Sequence, residues 1–196
     1  IDAAVYLTKL KEIDNDWHPV RNVINNNLTY TTIDRYWFWR IDYYLWEQRE
    51  LFFKKELLNV VEKYVFRRNR SIEHIAPQHP KDEFGDKDRF YWDDESRPEV
   101  AMKRDCLGNM VMISSGQNST LTNSCFEVKH AVMQRYASGN GTVESLKMLY
   151  VYSKYSSWSL DNIDEHQRFS MNVLKYSYER DSRGWNDFHN IMHWKL

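Results

Sequence analysis

The chain is poor in the features that several functional classes need. Its 196 residues hold two cysteines, Cys106 and Cys125. They form no CxxC pair and no zinc-ligand spacing, which argues against a structural zinc or a disulfide framework. Reduced thiols in a cytoplasmic protein are expected instead. No long uncharged apolar run is present, so no transmembrane helix and no membrane partner are expected, and no signal peptide is visible. No glycine-rich phosphate loop occurs. The formal net charge of −1 argues against a uniformly basic nucleic-acid binder. Internal repeats and low-complexity tracts are absent. The first residue is Ile1, not Met, and the expectation is a domain cut from a longer protein.

What is present suffices for one packed domain, or one domain with a helical extension. Hydrophobic residues make up 42% and aromatic residues 15% of the chain, ample for a core. Charge is unevenly spread. Lys54, Lys55, Lys63, Arg67, Arg68 and Arg70 stand close together, opposed only by Glu56 and Glu62, whereas Asp82 to Glu95 is mostly acidic.

Apolar spacing predicts a helix over Ala3 to Asp14, broken by Asn25-Asn26-Asn27. A stronger helix follows, capped by Thr31 or Thr32 with Asp34 in a capping-box-like place. It turns Ile33, Trp37, Ile41, Tyr44 and Leu45 inward and keeps Arg35, Arg40 and Glu47 mostly outside. A second pattern runs through Phe52, Leu57, Val60, Val61 and Tyr64, either continuing the first helix or turning near Gln48. Ser71 to Ala76 reads as a short strand stopped by Pro77, and His79 to Asp88 as a loop. A short helix is expected over Glu99 to Cys106, ended by Leu107-Gly108, then a second strand from Met110 to Ser114. Asn118 or Ser119 is expected to cap one helix through Leu121, Phe126, Val128 and Val132. After the loop Ser138 to Thr142 come helices Val143 to Tyr155 and Ser159 to Glu179. An aromatic tail of Trp185, Phe188 and Trp194 should pack back on the body.

Two polar clusters stand out against this helical background. The first strand carries Glu73-His74 between Ile72 and Ile75. The second cluster, Leu107 to Asn118, supplies Asn109 and Asn118 around the second strand. A strand, a loop, a strand and a helix bringing His and two Asn together is the layout of a ββα-metal finger. Such a kit can hydrolyse a phosphodiester with one metal ion. Histidine, with an ordinary pKa of about 6.5, can take the proton of an attacking water. A divalent Mg²⁺ or Mn²⁺ neutralises charge on the phosphoryl oxygens and needs only oxygen ligands. Glu73 and Asn118 can supply those, although neighbouring strand side chains point to opposite faces. Asn109 can hold the loop or orient the His74 ring. Lys129 can hold a phosphate or be a solvated helix charge, and Arg67, Arg68 and Arg70 can track a DNA backbone or be ordinary surface. The remaining histidines, His166 among them, read as structural or surface residues, and Asn123 as a cap or loop tie.

The run Ile72-Glu-His-Ile-Ala-Pro-Gln78, with Leu107-Gly-Asn-Met-Val-Met-Ile113 and Asn118 to Lys129, resembles the HNH (His-Me finger) domain at the C-terminus of GmrSD-type restriction nucleases. Met110 stands where Leu is usual in that pattern. The acid-His-Ile-x-Pro-Gln run and the step from Asn109 to Asn118 also resemble the HNH domain of RNA-guided CRISPR nucleases. The resemblance implies a mostly α-helical α+β fold with the finger embedded among packed helices. It implies a DNA endonuclease of bacterial phage defence acting on double-stranded DNA. His74 would be the general base, Glu73 and Asn118 the metal ligands, and Asn109 the support. It further implies a nucleotide-hydrolysing sensor domain, N-terminal in the same protein or on a partner subunit. The organisation expected is a single nuclease domain over 1–196, with N-terminal helices over 1–69, the finger region over 70–136 and C-terminal helices over 137–196. A non-catalytic DNA-binding or docking module, and an RNase or toxin using the same finger, are the alternatives. Intact His74, Asn109 and Asn118 favour the nuclease over a degenerate scaffold.

Overall fold

The computed structural model of the chain describes residues 28–79, 90 and 92–183. The expected helix at Ala3 to Asp14, the Asn25 to Asn27 break, most of the acidic loop and the aromatic tail lie outside the described residues. Among the described residues the fold is mostly helical, with one two-stranded antiparallel sheet.

Helix α1 (Tyr36–Glu47) starts where the Asp34 carboxylate accepts the Tyr36 N–H at 2.8 Å, satisfying one of the free donors of the first turn. The face predicted for it is buried: Ile33, Trp37, Ile41, Tyr44 and Leu45 are all below 6% exposed. Arg40 departs from expectation, for it is buried as well. Its guanidinium donates to Ser177 Oγ and to Tyr36 Oη, both at 2.7 Å, and lies over the Tyr44 ring. Those acceptors make the burial of a charge tolerable. At Gln48 the chain turns instead of continuing, through a single helical turn α2 (Arg49–Phe52) into α3 (Lys55–Glu62).

Strand β1 (Ser71–His74) pairs with β2 (Met110–Ile113), His74 opposite Met110 and Ser71 opposite Ile113. Between them lie α4 (Pro98–Arg104) and a 3₁₀ turn, Leu107–Asn109. Every residue of β2 is buried, so the hairpin is an interior element, not a surface flap. Leu107-Gly108-Asn109 explains itself in space. Leu107 fills the core. Gly108 donates to Gln167 Oε1 at 2.6 Å, and a Cβ on it would come within 2.6 Å of the Ile163 carbonyl oxygen. Only glycine lets the turn meet a helix backbone so closely.

After β2, Ser114 caps α5 (Ser115–Leu121) by accepting the Gln117 N–H at 3.1 Å. The single helix expected here is two. Thr122 takes a positive φ of 40° and turns the chain into α6 (Phe126–Ala137). Asn118 therefore lies inside α5 and does not cap it. Helix α7 (Leu146–Lys154) and the long α8 (Leu160–Arg183) complete the body. Helix α1 packs on α7 and α8, α5 packs on β1, and α8 lies along the Leu107–Asn109 turn.

Candidate active site

The end of β1 delivers its two polar side chains to different neighbours, as strand alternation requires. His74 is 5% exposed. Its Nε2 and Asp105 Oδ1 are hydrogen-bonded at 2.9 Å, and the Tyr30 and imidazole ring centroids lie 5.2 Å apart. Burial pushes the imidazole down to about 4, against the opposing pull of Asp105, so the ring is neutral at ordinary pH. Asp105 also accepts from Gln78 Nε2 at 3.0 Å and from Arg104 Nε and Nη2 at 3.0 and 2.8 Å. Burial raises the Asp105 carboxyl, but these hydrogen bonds more than offset it and hold the group below its ordinary range.

Glu73 turns the other way, into an ion pair of 2.6 Å with Lys129 of α6. Burial raises its carboxyl and the nearby ammonium opposes that rise. Lys129 corrects an expectation. It is fully buried, and its ammonium also donates to the His74 carbonyl at 2.6 Å and the Ile75 carbonyl at 3.3 Å. A cation so placed braces the exit of β1 and has no access to a phosphate or to solvent. A second buried lysine mirrors it across the hairpin. Lys147 of α7 donates to the Leu107 and Met110 carbonyls at 2.8 and 2.5 Å, and burial drives it down to about 7. Asp42 of α1, which burial lifts to about 7, accepts the Lys147 N–H at 2.7 Å at the start of α7.

Of the two roles open to Asn109, the geometry gives the first. Its side chain accepts from Ala76 N at 2.9 Å and Trp158 Nε1 at 3.1 Å, and donates to Ala76 O at 3.1 Å and Arg104 O at 2.9 Å. Two of these bonds hold the segment after β1 to the turn before β2, the other two reach Arg104 and Trp158, and the His74 ring is held by Asp105. Asn118 differs. It sits on α5, which packs on β1, and its Oδ1 is buried with no hydrogen-bond partner. An unpaired buried amide oxygen is costly and is the kind of hard donor that a divalent ion takes. Among the described residues no group of three or more His, Cys, Asp or Glu is placed to hold a metal, so any site here rests on a smaller oxygen set. Glu73 would have to be shared between such an ion and Lys129.

Arg67, Arg68 and Arg70 are exposed on the irregular segment that leads into β1, and Lys54, Lys55 and Lys63 are exposed at the two ends of α3. Asp105, Gln78 and Tyr30 escaped the sequence reading as site residues. Gln78 belongs to the Pro-Gln end of the first motif. Asp105 carried only one signal, a carboxylate between a helix end and Leu-Gly-Asn. Tyr30 carried none.

A family model described as GmrSD restriction endonucleases, C-terminal domain, matches residues 18–171, more than half of the chain. Neither curated proteins nor solved structures gave a match.

Proposed function

From the premise that this chain belongs to the C-terminal domain family of the GmrSD restriction endonucleases, a family whose substrate is DNA, we propose that it is a metal-dependent HNH endonuclease. In this reading β1, β2 and α5 form a ββα-metal finger within one nuclease domain spanning 1–196. The domain cuts double-stranded DNA in a cytoplasmic anti-phage restriction system. A nucleotide-hydrolysing sensor domain, on the same protein or a partner subunit, gates it.

One observation carries the reading: the hairpin ends in a buried, neutral imidazole, and the helix that follows it holds an unpartnered buried amide oxygen. His74 is the general base. It takes a proton from water while the water oxygen bonds to phosphorus. The bond to the leaving ester oxygen breaks, and that oxygen takes a proton from solvent. Asn118 and Glu73 would hold the ion, Mg²⁺ or Mn²⁺. When bound, it supplies neutralisation of charge on the phosphoryl and leaving oxygens. Asn109 keeps His74 in place by fixing the chain on both sides of the hairpin mouth, and Lys129 partly neutralises Glu73. Arg67, Arg68 and Arg70 supply contacts to the DNA backbone, and the exposed lysines near them add to the same field. The test is a plasmid-nicking assay with and without Mg²⁺. Conversion of supercoiled to open or linear DNA only with the ion is expected, and no cutting under any divalent metal would overturn the proposal.

A further inference from the structure

We infer that Asp105 is a positioning residue for His74: it fixes the imidazole in the Nε2–H tautomer and so leaves the lone pair on Nδ1 as the proton acceptor. The inference rests on the reading of His74 as base. A carboxylate only accepts hydrogen bonds, so the proton between Asp105 Oδ1 and His74 Nε2, 2.9 Å apart, belongs to the ring nitrogen. The carboxylate is itself immobilised. Arg104 grips Oδ2 with two nitrogens, Gln78 donates to Oδ1, the Asp105 carbonyl accepts the Tyr30 N–H at 2.9 Å, and Asn109 holds the Arg104 carbonyl. The Tyr30 ring packs against the imidazole, tilted by 50°.

A plain need to satisfy a buried histidine does not account for this assembly. The fold also buries His166 completely and gives neither of its ring nitrogens a hydrogen-bond partner. When water gives its proton to Nδ1, the ring becomes an imidazolium bonded through Nε2–H to Asp105, which stays ionised and stabilises it.

The experiment uses the full chain with ¹⁵N-labelled histidine. In the wild type, His74 is expected to show one tautomer, protonated at Nε2 and bare at Nδ1. Asp105→Ala should mix the tautomers and lower kcat by about 10–100-fold, the usual cost of removing such an orienting group, with KM for DNA little changed. Asp105→Asn keeps an oxygen for Nε2–H and should restore part of kcat. A wild-type His74 protonated at Nδ1 would overturn the inference, as would wild-type kcat in Asp105→Ala or a loss confined to KM. If Asp105→Ala does not fold, the wild-type tautomer and the Asp105→Asn kinetics decide. The base assignment fails separately, by cleavage in His74→Ala, and the tautomer measurement stands apart from activity.

Discussion

His74 and His166 are both neutral imidazoles in the interior, and almost nothing else about them is alike. His166, on α8, is enclosed by Tyr150, Tyr155, Trp158 and Phe169, with ring centroids 5.4 to 6.3 Å away. Burial takes it well below its ordinary range, assisted by the positive charges of Lys147 and Lys154. His74 has a carboxylate on one nitrogen, a tyrosine packed beside its ring, and a polypeptide frame braced by Lys129 and Asn109. A depressed histidine is therefore no mark of chemistry in this molecule. What sets His74 apart is that its orientation is specified.

The largest expected effect breaks that contrast at the chemical end. His74→Ala should cut DNA cleavage by about 10²–10⁴-fold, the usual value of general-base help, while fold and DNA binding stay largely intact. Added Mg²⁺ or a change to Mn²⁺ should not restore it, because the base is gone and the metal ligands are not. A wild-type rate in that variant would end the HNH assignment. Asn118→Ala should lose at least the 10–100-fold that even outer-shell changes around a metal cost. A metal titration should bring part of it back, and a flat response across Mg²⁺ and Mn²⁺ would remove Asn118 from the metal site.

The structural end of the contrast is read by pH. His166 has a folded pKa below its unfolded value of about 6.5, so the unfolded chain takes up the proton first as pH falls. The stability it preserves is present above the unfolded value of about 6.5 and drains away as pH falls below it. His166→Phe should flatten that part of a denaturant-midpoint series against pH without touching the chemistry. An unchanged slope would show that other groups set the acid limit. The smallest effect lies outside both histidines. Changing Arg67, Arg68 and Arg70 together to Ala should weaken DNA binding and lower its salt slope by about one per lost contact. Identical binding across a salt series would make those charges ordinary surface.

Much of the frame was legible in advance because it depends on local rules. Both strands fall within two residues of expectation, since Pro77 stops one and Leu-Gly-Asn introduces the other. The inward face of α1 follows its apolar period. Most of the failures concern groups whose partners are distant in sequence. Lys129 and Arg40 sit at helix positions where charge ordinarily faces solvent. Only the assembled fold brings the His74 carbonyl to one and Ser177 to the other. Asp105 meets His74 across the whole segment between the strands, and no spacing rule connects them. The division of α5 from α6 was missed for a different reason. Thr122-Asn123-Ser124 is turn chemistry, but it lies inside an apolar pattern that suits one helix.

The contact at Gly108 has a mechanical side. With no side chain there, the turn rests directly on the backbone of α8, and Gln167 ties the two together. No compressible layer lies between them. A displacement of α8 at Ile163 to Gln167 is expected to move Asn109, which is bonded to Ala76 and Arg104 beside His74 and Asp105. The long helix and the mouth of the hairpin are thus joined by direct backbone contact at the smallest residue.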